Sequence, residues 1–226
     1  MRNYPSIGLQ AADILLPREG IDPHKWAVIA CDQYTSEPEY WQKVAEVVKD
    51  APSTYHMTLP EVFLGTDEEG RRIQTTQRAM QDYLGGGIFK QHEGFILVER
   101  SVDGKTRRGL MAALDLEQYD FNKGSVSLVR ATEGTILDRL PPRIRIREGA
   151  AIEFPHILVL IDDPQKTVIE PIAARKDSLR KLYDFDLMAG SGHLSGYAVD
   201  SLEAEQQAVA ALEKLATPEM MANKYQ

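Results

Sequence analysis

Apolar and polar positions along this chain follow two periods, and the changes of period mark the elements. Trp26-Ala27-Val28-Ile29-Ala30 is a compact apolar run of the kind a buried strand uses, and Cys31-Asp32-Gln33-Tyr34 leaves it as a polar loop. Beyond the loop, Trp41, Val44, Ala45 and Val48 recur at helical intervals. Ser36 and Glu39 stand at capping-box spacing before them, and Asp50-Ala51-Pro52 stops the pattern. A second helix is predicted between Arg71 and Leu84, where Ile73, Gln77, Met80 and Leu84 share a face. Gly85-Gly86-Gly87 closes it. These glycines end a helix instead of opening one and lack a following Lys-Ser/Thr, so they read as a terminator and not as a phosphate loop.

The period then shortens. Phe95 to Val102 and Thr106 to Leu116 are strand-like and are separated by Asp103-Gly104-Lys105, whose Asp-Gly pair suits the positive φ angles of a tight hairpin turn. Ile157-Leu158-Val159-Leu160-Ile161 reads as a core strand ended by Asp162-Asp163-Pro164. A helix is expected next, with Ile169, Ile172, Ala173 and Leu179 on one face and Arg180-Lys181 in its closing turn, although Pro171 works against it. Leu194 to Val199 is a late strand, and Ser201 caps a helix carrying Ala208, Val209, Leu212, Leu215 and Ala216. Thr217-Pro218-Glu219 opens a last turn with Met220 and Met221. Between Ser125 and Glu148 the pattern is ambiguous. Arg143-Ile144-Arg145-Ile146-Arg147 alternates like a strand, whereas Pro141-Pro142 suits a helix start, and a short helix is the preferred reading. The sum is an α+β fold: a mixed, largely antiparallel sheet with packed helices. A single core is expected over residues 1–226, because no repeat or linker divides the chain.

Composition narrows the setting. A chain of 226 residues buries a core without disulfide or metal staples. Lys plus Arg number 26 against 34 Asp plus Glu, and 26 − 34 = −8 argues against general binding to nucleic acid or anionic membranes. A basic site must be local. Cys31 is the single cysteine, so neither an intrachain disulfide nor a thiolate zinc cluster is expected, which fits a reducing, cytoplasmic compartment. The apolar run Ile14-Leu15-Leu16 is too short for a signal peptide, and Ile157 to Ile161 falls far below the roughly 20 residues of a membrane span.

Candidate chemistry gathers in a few places. Arg130-Ala131-Thr132-Glu133-Gly134-Thr135, followed by Arg139 and Arg143, combines a carboxylate, hydroxyls and guanidinium groups. Guanidinium groups and hydroxyls grip phosphoryl oxygens, and a carboxylate such as Glu133 accepts the proton of an attacking hydroxyl. A solvated turn flanked by arginines has the same composition. Asp32 and Tyr34 sit just past a predicted strand end, where α/β proteins place binding groups, or else they make a turn and cover a helix start. Asp162 and Asp163 suit either a divalent cation or an ordinary turn. His24, His56, His92, His156 and His193 form no metal-ligand spacing, which argues against zinc. His193 follows Gly190-Ser191-Gly192 and could meet a phosphate or carry a proton. His156 reads as structural, and Cys31 as an inert buried thiol.

Four stretches together resemble a large family of uncharacterised bacterial proteins: Trp26 to Trp41, Arg130 to Thr135, Pro155 to Asp163, and Leu182 to Met188 with Gly192-His193. The resemblance implies that full-length members continue into an Asp-Gly-His/Asn-His type motif, so that this chain corresponds to their amino-terminal portion. That motif resembles one in free serine kinases and, more distantly, in ParB and sulfiredoxin-like proteins. In many relatives the stretch matching Thr132 to Thr135 reads His-Glu-Arg-Thr, so Glu133 and Thr135 match while the other two positions depart. The resemblance implies a nucleotide-dependent phosphotransferase for a small hydroxyl-bearing metabolite, using ADP or ATP with Mg. Glu133 and Asp32 would be catalytic, and Arg130, Thr132, Thr135, Arg139, Arg143 and His193 would bind phosphate. No zinc or organic redox cofactor is expected. The alternative is a non-catalytic nucleotide-responsive module or scaffold.

Overall fold

The computed structural model describes residues 2–122, 125, 127–131, 134, 136–137 and 140–217. In chain order the strands are β1 (Asn3–Tyr4), β2 (Leu9–Gln10), β3 (Ala12–Pro17), β4 (Phe89–Val102), β5 (Lys105–Met111), β6 (Ala113–Leu114), β7 (Tyr119–Asp120), β8 (Val129–Arg130), β9 (Lys181–Asp186) and β10 (His193–Val199). The helices are α1 (Pro23–Trp26), α2 (Pro38–Val48), α3 (Glu69–Gly85), α4 (Leu140–Glu148), α5 (Ile169–Ala173) and α6 (Leu202–Leu215). This is the expected α+β mixture with largely antiparallel pairing, the short β7–β8 pair alone among the described strands being parallel.

The long strand β4 organises it. Its first half pairs with β3, Ala12 opposite Gly94 and Pro17 opposite Phe89, and its second half pairs with both β5 and β10. Gly94, at φ 132, marks the changeover, and a Cβ there would press on Asp200 and Glu205. The β4–β5 turn is the predicted hairpin: Val102 opposes Lys105, and Asp103 and Gly104 take φ 49 and 73. β9 pairs with β10 at the far side. There Gly196 makes room for the ring of Tyr183, which stands where a Cβ would be.

Alternation along β4 and β10 sends apolar side chains to both faces. On one face Phe95, Leu97, Tyr197 and Val199 pack with Ile172 of α5 and with Ala208 and Val209 of α6. A second cluster joins Trp41, Val44 and Val48 of α2 to Ile29, Phe185, Leu187 and Met188. A third joins Trp26, Met57 and Met80, with Phe89 and Tyr83 against it. Both predicted long helices therefore turn their periodic residues inward, though Gln77 and Leu84 do not follow: Leu84 is exposed, and Gln77 donates to the carbonyls of Arg145 and Ile146.

Several expectations are corrected. Trp26 to Ala30 is not a strand. Asp22 caps His24 N and Pro23 opens the short α1, after which residues 27–30 are irregular. Two backbone groups of the run are met by hydroxyls instead of a ladder: Ser53 and Thr54 donate to the Trp26 carbonyl, and Val28 N donates to Thr54 Oγ1 at 3.1 Å. Ser36 caps nothing. The residue before α2 is Glu37, without a side-chain cap, and Pro38 begins the helix. The predicted strand to Leu116 breaks after Met111, and Ala113–Leu114 pairs with β2 in a separate small sheet.

Ile157 to Ile161 is the largest departure. It is irregular and 41% to 73% exposed, not a core strand. The helix expected after it ends at Ala173, and Lys181 starts a strand. Ile169, Ile172, Ala173 and Leu179 nevertheless share one apolar cluster, carried by a broken segment. The Asp163 carboxylate takes the turn role, accepting from Thr167 N at 2.6 Å and Val168 N at 2.8 Å. The short helix near 139–148 forms as α4. Gly85 to Gly87 ends α3, and Ser201 caps α6 through Ala204 N. The last turn predicted from Pro218 onward lies outside the described residues.

Candidate functional site

The loop after residue 30 is held at both ends. Gln33 N donates to the Ala30 carbonyl, Trp41 Nε1 donates to the Gln33 carbonyl at 3.3 Å, and Glu37 N donates to the Tyr34 carbonyl. Since Trp41 is fully buried, the loop is anchored to the core through a rigid ring. Glu61 N donates to the Cys31 carbonyl at 2.8 Å, which brings the 3-10 turn Glu61–Phe63 alongside. Helix α4 lies on α3 through the Gln77 bonds and an Arg145–Glu69 ion pair, and it extends Arg143 to the Glu61 carboxylate.

These three segments enclose a hollow of about 380 Å³ lined by Asp32, Thr35, Glu61, Leu64 and Arg143. Glu61 raises the affinity of Arg143 for its proton, chiefly through the direct bond, so the guanidinium is firmly charged. Arg143 keeps about half of its side chain exposed while Glu61 is mostly covered. It therefore has N–H donors left for a second anion. Burial, and then the charges of Asp32 and Glu61, push the Cys31 thiol up to about 11. A thiol so protonated is a poor nucleophile, as the sequence suggests.

Asp32 and Arg143 are thus brought together. Arg130 is in β8, with its Nε donating to the Ser127 carbonyl at 2.8 Å, and His193 is on β10; neither lines the hollow. His193 is clamped between carboxylates, Nδ1 at 2.8 Å from Asp186 and Nε2 at 2.7 Å from Asp184. Thr132, Glu133, Thr135 and Arg139 lie outside the described residues. Sequence reasoning missed Glu61, Thr35 and Leu64. Glu61 belongs to a short turn after Pro60, where no periodic pattern or motif marks it.

Fold and hollow together define an α+β protein with an acid–guanidinium site built from three separated parts of the chain. The chain belongs to the family of proteins of unknown function designated DUF1015, whose model matches residues 15–218. No curated protein and no solved structure gives a match. Among the described residues no helix is long and apolar enough to cross a membrane.

Proposed function

We propose that the hollow receives the phosphates of a nucleotide and that the protein transfers a phosphoryl group to a small hydroxyl-bearing metabolite. The observation that carries this reading is the meeting of Asp32, Thr35, Glu61 and Arg143 in one hollow. The substrate class is carried over from the free serine kinases, whose motif resembles the one expected downstream in full-length family members.

Charge sets a condition. Two carboxylates face one guanidinium, so a bare polyphosphate would be repelled unless a cation accompanies it. Among the described residues no three metal-ligating side chains converge. Carboxylates nevertheless fit Mg²⁺, which keeps several waters and is held through one or two carboxylates plus substrate phosphates. Glu61 would hold it, leaving Asp32 free as a base, and the ion would supply charge neutralisation. Arg143 would then exchange Glu61 for a phosphoryl oxygen, keeping every charge paired. Asp32 accepts the proton of the substrate hydroxyl as its oxygen bonds to the terminal phosphorus and the bridging P–O bond breaks. Arg143 and the Thr35 hydroxyl take up charge on the equatorial oxygens.

Calorimetric titration with ADP and ATP, with and without Mg²⁺, tests the reading. Binding is expected only with the ion. Arg143→Ala is expected to weaken it about tenfold, the scale of one charge-assisted contact. Asp32→Asn is expected to lower turnover by about 10²- to 10⁴-fold. Absence of heat with either nucleotide in wild type overturns the proposal. Stabilisation by nucleotide without any product turns it toward a regulatory module.

A further inference from the structure

We propose that the stacked Tyr34–Tyr40 pair beside the hollow is the platform for the base of the nucleotide, an inference that rests on the phosphate-binding reading above. Tyr34 stands in the loop between residues that line the hollow, Asp32 and Thr35, and one peptide unit, about 3.8 Å between Cα atoms, separates it from the latter. Its φ of 51 lies in the left-handed region, which an aromatic residue with a Cβ rarely adopts. The strained backbone turns its ring out of the hollow and onto α2. There it lies flat on Tyr40, with ring centroids 4.2 Å apart and planes 13° apart.

Tyr40 is itself fixed. Its hydroxyl is 2.7 Å from Ser191 Oγ, and the Ser191 carbonyl accepts from the Arg100 guanidinium at 3.2 Å. Trp41 meets the Tyr40 ring edge-on at 5.3 Å. Tyr34 therefore has one face on an immobile ring and remains 41% exposed. Covering a helix start requires neither a positive φ nor a second aromatic held by Ser191 and Trp41. A flat, supported and partly exposed ring next to the hollow does suit a planar heteroaromatic base, with the ribose spanning the distance between the two. Binding by stacking alone tolerates different bases and favours the larger purines over pyrimidines.

The test uses the full chain with Mg²⁺ and two probes, ADP and pyrophosphate, titrated into wild type, Tyr34→Ala, Tyr34→Phe and Arg143→Ala. Tyr34→Ala is expected to weaken ADP about tenfold and leave pyrophosphate unchanged, as loss of one base–aromatic stack requires. Tyr34→Phe retains the ring and is expected to bind both probes like wild type. Should Tyr34→Ala fail to fold, Tyr34→Asn takes its place, because Asn tolerates the left-handed region. The platform is overturned if the ring-deleting variant binds ADP like wild type, if it loses both probes equally, or if Tyr34→Phe loses as much as Tyr34→Ala. Binding of both ADP and pyrophosphate that depends on Arg143 while neither depends on Tyr34 overturns the platform and leaves the hollow standing. Failure of wild type to bind either probe overturns both.

Discussion

At the scale of single residues, electrostatics divides the two sites that the sequence brought under one heading. Arg143 has a carboxylate on one side and open donors on the other, whereas His193 has a carboxylate on each ring nitrogen. Asp186 and then Asp184 hold the imidazole above its ordinary range, and Lys181 and His193 hold the Asp184 carboxyl below its own. The signs fix a window. The raised histidine contributes stability that is fully present below its unfolded value and is lost as pH rises through the folded one. The depressed Asp184 contributes stability that is lost as pH falls through its folded value. His193→Gln is therefore expected to cost most in mildly acidic solution and little in alkaline solution, which thermal melts of both proteins at several pH values would show. An NMR titration of His193 that gave an ordinary or lowered value would contradict the clamp.

Elements respond differently to the same apolar residue types. Leu97 is completely buried in the middle of β4, and Leu97→Ala is expected to cost about 2–5 kcal/mol. Leu158 and Leu160 belong to a run at least as hydrophobic, but they lie on the surface, so replacing both with Ser is expected to cost less than about 0.5 kcal/mol each. Chemical denaturation of the two variants decides it. If the serine variant loses as much as Leu97→Ala, residues 157–161 are core after all. Here lies the limit of what the sequence discloses. Local chemistry was legible: the Asp103-Gly104 turn, the glycine stop of α3, the Ser201 cap and the helix at Leu140–Glu148 all formed where residue types require them. Apolar runs were not, because a run specifies that burial is favourable without naming a partner. Trp26 to Ile29 is partly to fully buried, with hydroxyls of a distant turn meeting its backbone, and Ile157 to Ile161 has no ladder partner among the described residues. The site was half legible for the same reason. Asp32 and Arg143 stood out by type, but Glu61 joins them only through the backbone bond to Cys31, which is tertiary information.

The whole molecule is closed by one buried carboxylate. Glu205 of α6 is completely inaccessible, and it accepts from Arg2 Nε at 2.6 Å, from the other end of that guanidinium, and from Tyr4 Oη at 2.6 Å. Removing one partner of a buried pair strands the other, though Arg2 is exposed enough to rehydrate. Glu205→Ala is therefore expected to cost about 2–3 kcal/mol, at the low end of such losses, measurable by urea denaturation. A smaller loss than that of an exposed substitution such as Leu158→Ser would remove the clamp from the account. Its geometry has one more consequence. Residue 2 and residue 205 are gripped by the same atoms, so peeling away the first strand and unwinding the last helix become a single event. Amide protons of β1 and α6 should exchange with deuterium at matched free energies, as parts of one cooperative latch and not as two independently fraying ends.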